Sequence, residues 1–274
     1  MTTVAQALRE AAARLAETSD TARLDAELLM AHALGVSRSD MLLRHVRDPA
    51  PEGFAALVER RADHEPLAYI VGEQEFFGRS FRVGPEVLIP RGDSESVVVA
   101  ALEGTGPAGR MLDCGVGSGA LLLTFLAERP GWQGVGIDRS SGALAVAAGN
   151  AARLEVAERA QMVEADWHRA GWASELGQFE RIVANPPYVE DMADLAPSVR
   201  GFEPAGALFA GSEGLDDYRV LIPQLRGLMA MDGVAVLEIG AAQGETVAAI
   251  ARAEGFSTEL RRDLADRPRA LILR

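Results

Sequence analysis

Apolar residues change their spacing along this chain, and the change divides it. Over the first third they recur at helical intervals: Leu24, Leu28 and Leu29 share a face, with Asp20 placed to cap the helix and Gly35 to end it. Pro51, of a type favoured in a first helical turn, opens a second predicted helix with Phe54, Leu57 and Val58 on one side. From Glu75 the period shortens. Phe77, Ser80, Phe81 and Val83 around Gly78 predict a short hairpin, and Pro85 and Pro90 bracket the apolar Val87-Leu88-Ile89. Beyond Arg110 short apolar runs alternate with helical stretches, the sign of βαβ units and a parallel sheet. Strands are predicted at Met111-Leu112, 134–138, 161–164, 181–184 and 234–239. The runs 256–260 and 270–273 have no clear helix between them, which predicts an antiparallel pair. The expected organisation is a helical domain over 1–75, a hairpin linker over 76–90 and an α/β domain over 91–274.

With 274 residues, 48% of them hydrophobic, the chain can bury a sizeable core in one large domain or two. No apolar run approaches the length needed to cross a bilayer, and Arg9, Glu10 and Arg14 interrupt the first apolar stretch, unlike a secretory signal. A cytoplasmic protein with no membrane partner is expected. A lone Cys114 excludes an intrachain disulfide, and its apolar neighbours suit a small buried hydrophobe better than a nucleophile. His32, His45, His64 and His168 lack ligand spacing, so no metal is expected. The net charge of -13 sets 27 basic against 40 acidic side chains, and every basic one is arginine. That balance lacks the basic surplus that drives duplex binding and favours a protein partner with basic surfaces.

Candidate chemistry begins at Asn185-Pro186-Pro187-Tyr188, which follows the apolar Ile182-Val183-Ala184 and so sits at a strand end. Two prolines cannot donate backbone hydrogen bonds and bias the segment toward extended conformations, leaving carbonyls free to accept. Asn185 adds a side-chain acceptor and Tyr188 a flat face, a combination suited to holding a planar NH2 group. In isolation, four such residues read more readily as a Pro-rich turn with an Asn cap. The upstream sequence reverses that balance.

Leu112-Asp113-Cys114-Gly115-Val116-Gly117-Ser118-Gly119 places three glycines between a strand and a helix expected near Ala120. Asp138, nineteen residues after Gly119, ends the next strand, where a carboxylate can accept from a ribose diol. Asp113 decides between cofactors. Its charge would repel a dinucleotide pyrophosphate but could pair with the ammonium of a methionine moiety, which favours S-adenosylmethionine over NAD. Spacing of the form G-x-G-x-G points the same way. Asp166 is a candidate acceptor for an adenine amino group, and Trp167 a candidate ring partner or, equally, a core residue.

Gly115 to Gly119, Asp138 and Asn185 to Tyr188 look like the class I methyltransferases that modify amino groups conjugated to a planar system. Within them the chain resembles the bacterial release factor glutamine methyltransferase family, almost end to end. Further shared segments are Leu67 to Gly72 with Phe76-Phe77-Gly78, Val87 to Glu95, Glu203-Pro204 with Gly211 to Tyr218, and the closing Arg262-Asp263-Leu264. The resemblance implies an α/β fold: a seven-stranded, mostly parallel Rossmann-like sheet with a small N-terminal helical domain joined by a β-hairpin. It implies methyl transfer from S-adenosylmethionine, leaving S-adenosylhomocysteine, to the glutamine amide nitrogen in the Gly-Gly-Gln motif of class I peptide chain release factors. The helical domain would help hold that protein, with no direct nucleic-acid contact. Cofactor contacts are expected from Asp113, Gly115, Val116, Gly117, Ser118, Gly119, Asp138, Asp166, Trp167 and Asn185. Asn185, Pro186 and Tyr188 are the expected catalytic residues, with Pro187 joining them in substrate binding.

One departure stands out: the family more usually has Pro-Asp-Thr after Ile-Pro-Arg, whereas this chain has Gly92-Asp93-Ser94, which frees the backbone at Gly92. A glutamine of a ribosomal protein is the nearest rival substrate. A nucleic-acid adenine methyltransferase shares the Asn-Pro tetrapeptide, but the charge and the lack of a target-recognition domain oppose it. A binding protein that has lost catalysis is opposed by the intact glycines, Asp138 and Asn185 to Tyr188. No general base is evident, and neither Glu95 nor Glu203 is assigned that role. Arg91 is read as structural, and His168 as exposed or supporting.

Overall fold

The computed structural model describes residues 2–263 and 265–274, so Leu264 of the closing shared segment lies outside the described residues. The chain divides into two compact units, Met1–Glu73 with Leu195–Phe202, and Gln74–Asp194 with Glu203–Arg274. In chain order the first contains α1 (Val4–Leu15), α2 (Ala22–Leu34), a short α3 (Arg38–Asp40) that runs into a π turn, α4 (Phe54–Ala62) and α5 (Leu67–Val71). Thr3 and Gln6 form a capping box at the start of α1, and Val4, Ala7, Ala11 and Leu15 bury one stripe of it.

The face of α2 differs from the sequence expectation. Ala26, Leu29 and Met30 are buried, while Leu24 is 42% exposed. The helix is turned by two buried acids: Asp25 pairs with Arg61 at 2.7 Å, and Glu27 with Arg23 at 3.0 Å and Arg38 at 2.6 Å. Asp20 is not the cap. The helix starts after Thr21, and the Ser19 and Thr21 hydroxyls donate to Asp25, each at 2.8 Å. Gly35 ends α2 in the left-handed region at φ 67°. Pro51 precedes α4 by one turn, and its carbonyl accepts from the Phe54 N–H.

Next along the chain comes a hairpin, β1 (Glu73–Phe76) and β2 (Arg79–Arg82), which belongs to the second unit from Gln74 onward. Its turn residues Phe77 and Gly78 both have positive φ, 52° and 70°, as tight hairpins require. Then follow α6 (Glu95–Leu102), β3 (Gly109–Cys114), α7 (Ala120–Glu128), β4 (Trp132–Asp138), α8 (Ser141–Arg153), β5 (Ala160–Glu164) and β6 (Phe179–Ala184). The helix α9 (Pro197–Phe202) falls in the first unit; α10 (Asp216–Leu228), β7 (Met229–Glu238), α11 (Gly244–Ala253), β8 (Thr258–Arg262) and β9 (Pro268–Leu273) complete the second.

Seven strands form one sheet in the order β5-β4-β3-β6-β7-β9-β8. β3 to β7 are parallel, and β9 runs antiparallel to both β7 and β8, the pairing expected from the missing helix. β7 begins earlier than its apolar run, and β8 lies slightly later than expected. Val87-Leu88-Ile89 forms no strand, because its flanking prolines cannot ladder and the Ile89 N–H is taken by the Glu203 carboxylate at 3.1 Å. The central strands bury both faces. Leu112, Ile182 and Leu237 pack under Tyr218, Leu221 and Leu225 of α10, while Met111, Val183 and Val236 pack with Leu122 and Phe125 of α7. No helix among the described residues is long and apolar enough to cross a membrane.

Candidate active site

From β3 the chain runs outward through β4 to β5 and then returns to add β6 and β7 on the other side, so the strand order reverses at β3 and a crevice opens beyond its carboxyl end. A cavity occupies that switch point, walled by the glycine turn after β3, Asp138 after β4, Asp166-Trp167 after β5 and Asn185 after β6. The Gly115 and Val116 N–H groups donate to the Ile137 carbonyl at 2.9 and 2.8 Å, folding the turn onto the end of β4. Gly115 has φ 82°, and a Cβ there would come within 3.3 Å of the Trp167 ring. The Trp167 indole N–H donates to Asp217 at 3.0 Å, which anchors the ring's edge beside the turn. Trp167 thus both packs against the core and lines the cavity.

Asp113 is 1% exposed. One carboxylate oxygen accepts from the Leu122 N–H at 3.3 Å; the other, Oδ1, is buried with no hydrogen-bond partner. Burial pushes its pKa well up, the Asp138 charge adds to this, and the Leu122 N–H opposes it. A cation placed at Oδ1 would satisfy the orphaned oxygen, so the residues present fit an ammonium-bearing cofactor. The Asp138 oxygens accept from the Gly117 N–H at 3.0 Å and the Ser140 N–H at 2.9 Å, and each keeps a lone pair for a diol. Asp166 is held below the usual carboxylate range, chiefly by the His168 backbone N–H and then by its ring. His168 itself is partly exposed between Asp166 and Asp217. Burial, followed by Asp113, pushes the Cys114 thiol up, in keeping with an inert core cysteine.

On the same wall, next to the glycine turn across the β3–β6 pairing, the Asn185 side chain carries no hydrogen bond to any described residue, and Pro187 lines the wall with it. Val116 and Ser118 reach the wall, while Gly119 lies behind it, packed on Leu123. Pro186 is buried outside the wall. Tyr188 is also off the wall: its hydroxyl donates to Glu238 at 3.4 Å, and its carbonyl accepts from Gln243 at 3.1 Å.

Three functional candidates escaped the sequence reading, and a fourth, Glu203, was noted there without the role the structure gives it. Arg139 lines the cavity and reaches the Gly206 carbonyl at 2.7 Å. Asn150, fully buried, donates to the Ser118 carbonyl at 2.8 Å and brackets Arg82 of the hairpin, tying the glycine turn to β2. Its only signal was an amide in an apolar helix. Glu203 binds the Arg91 guanidinium as well as the Ile89 N–H, fixing the Val87 to Arg91 wall and giving Arg91 a structural role. Glu238, 1% exposed, is a charged residue at the end of an apolar strand. Among the described residues no cluster of His, Cys, Asp or Glu could hold a metal ion.

Gly92, the departure from the family pattern, begins a 3₁₀ turn ending at Ser94, and a Cβ there meets nothing within 4 Å. Arg91 before it is extended, φ -103° and ψ 141°, which suits a following proline. Gly92→Pro is therefore expected to stabilise the protein by about 0.4–1 kcal/mol by restricting the unfolded chain. Urea denaturation would measure it, and a lowered midpoint would show that the turn needs glycine.

Residues 6–72 match the family model described as PrmC N-terminal domain, and residues 93–202 match the one described as methyltransferase small domain. A protein of Rhodospirillum rubrum named release factor glutamine methyltransferase is 41% identical over 261 residues, spanning 92% of this chain and 78% of that protein. Proteins with the same name from Cereibacter sphaeroides and Nitratidesulfovibrio vulgaris are 42% and 40% identical, spanning 92% and 97% of this chain and 91% and 93% of their own lengths. Among solved structures, a methyltransferase from Pyrococcus furiosus superposes with a TM-score of 0.53 at 15% identity, over 72% of this chain and 89% of that one, and shares the fold.

Proposed function

The chain belongs to the release factor glutamine methyltransferase family, and from that premise we propose that it is a cytoplasmic enzyme that methylates the glutamine amide of the Gly-Gly-Gln motif in class I peptide chain release factors, using S-adenosylmethionine. The observation that carries this reading is a single cavity whose wall joins two chemistries: the orphaned Asp113 oxygen, the glycine turn and Asp138, and beside them Asn185, whose amide has no hydrogen-bond partner among the described residues.

S-adenosylmethionine, when bound, supplies the electrophilic methyl group. Asp113 Oδ1 would hold its ammonium, Asp138 its ribose hydroxyls, and Trp167 with Asp166 its adenine. An amide nitrogen is a weak nucleophile because its lone pair is delocalised into the carbonyl. Asn185 Oδ1, on the cavity wall, would accept one amide proton, and the adjoining Pro186 carbonyl and Tyr188 ring, which stand just behind that wall, would have to meet the carboxamide from there, one accepting the second proton and the other covering its face. Such positioning supplies on the order of 7 to 11 kcal/mol of barrier reduction in the best cases. Bonds from an NH2 that gains positive charge strengthen toward the transition state. The extra proton then leaves to water. The surplus of acidic side chains favours a substrate protein with basic surfaces.

A labelled-methyl assay offering release factor, ribosomal protein and DNA side by side tests the substrate. Label is expected in the release factor and absent when its Gly-Gly-Gln glutamine is replaced by alanine. Label confined to ribosomal protein or DNA would refute the reading. Asp138→Ala is expected to weaken cofactor binding about 10- to 100-fold through lost hydrogen bonds to a charged group. Calorimetry reads this directly, and normal affinity would remove Asp138 from the ribose site.

A further inference from the structure

Leu237 of β7 pairs with Ala184 of β6, so the next residues, Glu238 and Asn185, leave neighbouring strands side by side. Glu238 is buried, and the Tyr188 hydroxyl donates to its Oε1 at 3.4 Å. Ser94 is near enough to lower the pKa of the carboxyl group. Ser94 belongs to the cavity wall and to the 3₁₀ turn before α6. Oε2 is buried without a partner, a cost that a purely structural acid would shed by substitution with an apolar side chain. We infer that Glu238 is a positioning residue for methyl transfer, holding the Tyr188 hydroxyl and so fixing the angle at which the ring meets the substrate carboxamide.

The inference rests on the proposed role of Tyr188. The ring has two tethers, the Gln243 amide on its main chain and Glu238 on its hydroxyl. Gln243 holds the backbone, the core packs against the ring, and among the described residues Glu238 is the one hydrogen-bond acceptor of the ring hydroxyl. Glu238 faces Tyr188 after β6, Ser94 and Asp93 before α6, and Arg269 on β9. Its own carbonyl accepts from Tyr218 of α10 at 2.7 Å, and Arg269 is drawn toward Asp93 at 2.8 Å and Asp263 at 3.7 Å. Burial pushes the Glu238 pKa up to about 7, against the lowering effects of Ser94, Arg269 and Tyr188. Burial first and the Glu238 charge second push Tyr188 up to about 12, so the phenol remains a donor throughout. As pH rises through about 7, Glu238 ionises and its hydrogen bond from Tyr188 becomes charge-assisted, which restrains the ring more firmly.

Steady-state kinetics of the full chain with S-adenosylmethionine and release factor, run from about pH 6 to about pH 9, test this. Glu238→Gln and Tyr188→Phe are each expected to lower kcat about tenfold at the upper end, with cofactor affinity unchanged. The double variant should be no slower than the slower single, since Tyr188→Phe removes the hydrogen bond and Glu238→Gln removes the charge that strengthens the same bond. Wild-type kcat should rise through pH about 7, and both variants should lose that step. Glu238→Gln turning over like wild type while Tyr188→Ala is impaired would overturn the inference alone. A Tyr188→Ala enzyme with wild-type turnover would overturn the role of Tyr188 and the inference with it. Multiplying single effects would show that Glu238 acts independently of the ring and would also overturn it. Should Glu238→Gln fail to fold, the pH step decides through Tyr188→Phe: its survival there overturns the inference.

Discussion

Replacing Asn185 by alanine is expected to lower kcat about 100- to 1,000-fold, the range found when one preorganised hydrogen-bonding group is removed from a developing charge. The side chain stands at the carboxyl end of β6, on the cavity wall, with no described residue competing for it. Its backbone is set by the parallel pairing of β6 to β3 on one side and β7 on the other, so truncation should not move the strand. The lost interaction is one that strengthens as the amide nitrogen acquires charge, which places the effect in kcat rather than in KM. Affinity for S-adenosylmethionine should change less than about tenfold, because Asp113, Asp138 and the glycine turn remain. Single-turnover transfer beside calorimetry separates the two. Equal losses in cofactor affinity and rate would assign Asn185 to the cofactor alone.

What the sequence made legible is what short stretches encode. Each parallel strand is an apolar run closed by glycine, proline or a polar residue, and the runs at 134–138 and 181–184 end within the observed strands β4 and β6. The glycine turn and Asp138 were equally readable, since left-handed glycines and a carboxylate at a strand end are local necessities. Long-range partners were not readable. Tyr188 and Glu238 are fifty residues apart, and Arg91 meets Glu203 at a separation of 112. Leu24 shows the same limit on a helix: its periodicity suited the buried face, but the ion pairs of Asp25 and Glu27 turned α2 and left it exposed. Polar groups that find distant partners override the apolar count.

Gly119→Ala should destabilise the protein by about 2–4 kcal/mol, combining a left-handed backbone penalty with overpacking. Gly119 has φ 84° at the start of α7, where its carbonyl accepts from Leu123 at 2.8 Å. An added Cβ would stand 2.6 Å from Leu123 Cδ1 and 3.5 Å from the Ala147 methyl. Leu123 is fully buried between helix and sheet, so it has no open side into which to swing. Relaxing the turn would rotate the Gly117 N–H away from Asp138 and the Gly119 N–H away from Val116, which links the stability loss to the part of the cavity wall formed by Gly117 and Asp138. Gly92→Ala is the control, since its Cβ would meet open space and its backbone is not left-handed. Urea denaturation should therefore show a large fall in midpoint for Gly119→Ala and almost none for Gly92→Ala, and the first variant should need more S-adenosylmethionine to regain its stability. Equal midpoints in the two variants would mean that the turn adopts another conformation, and the cofactor cradle drawn around Gly115 to Gly119 would have to be redrawn with it.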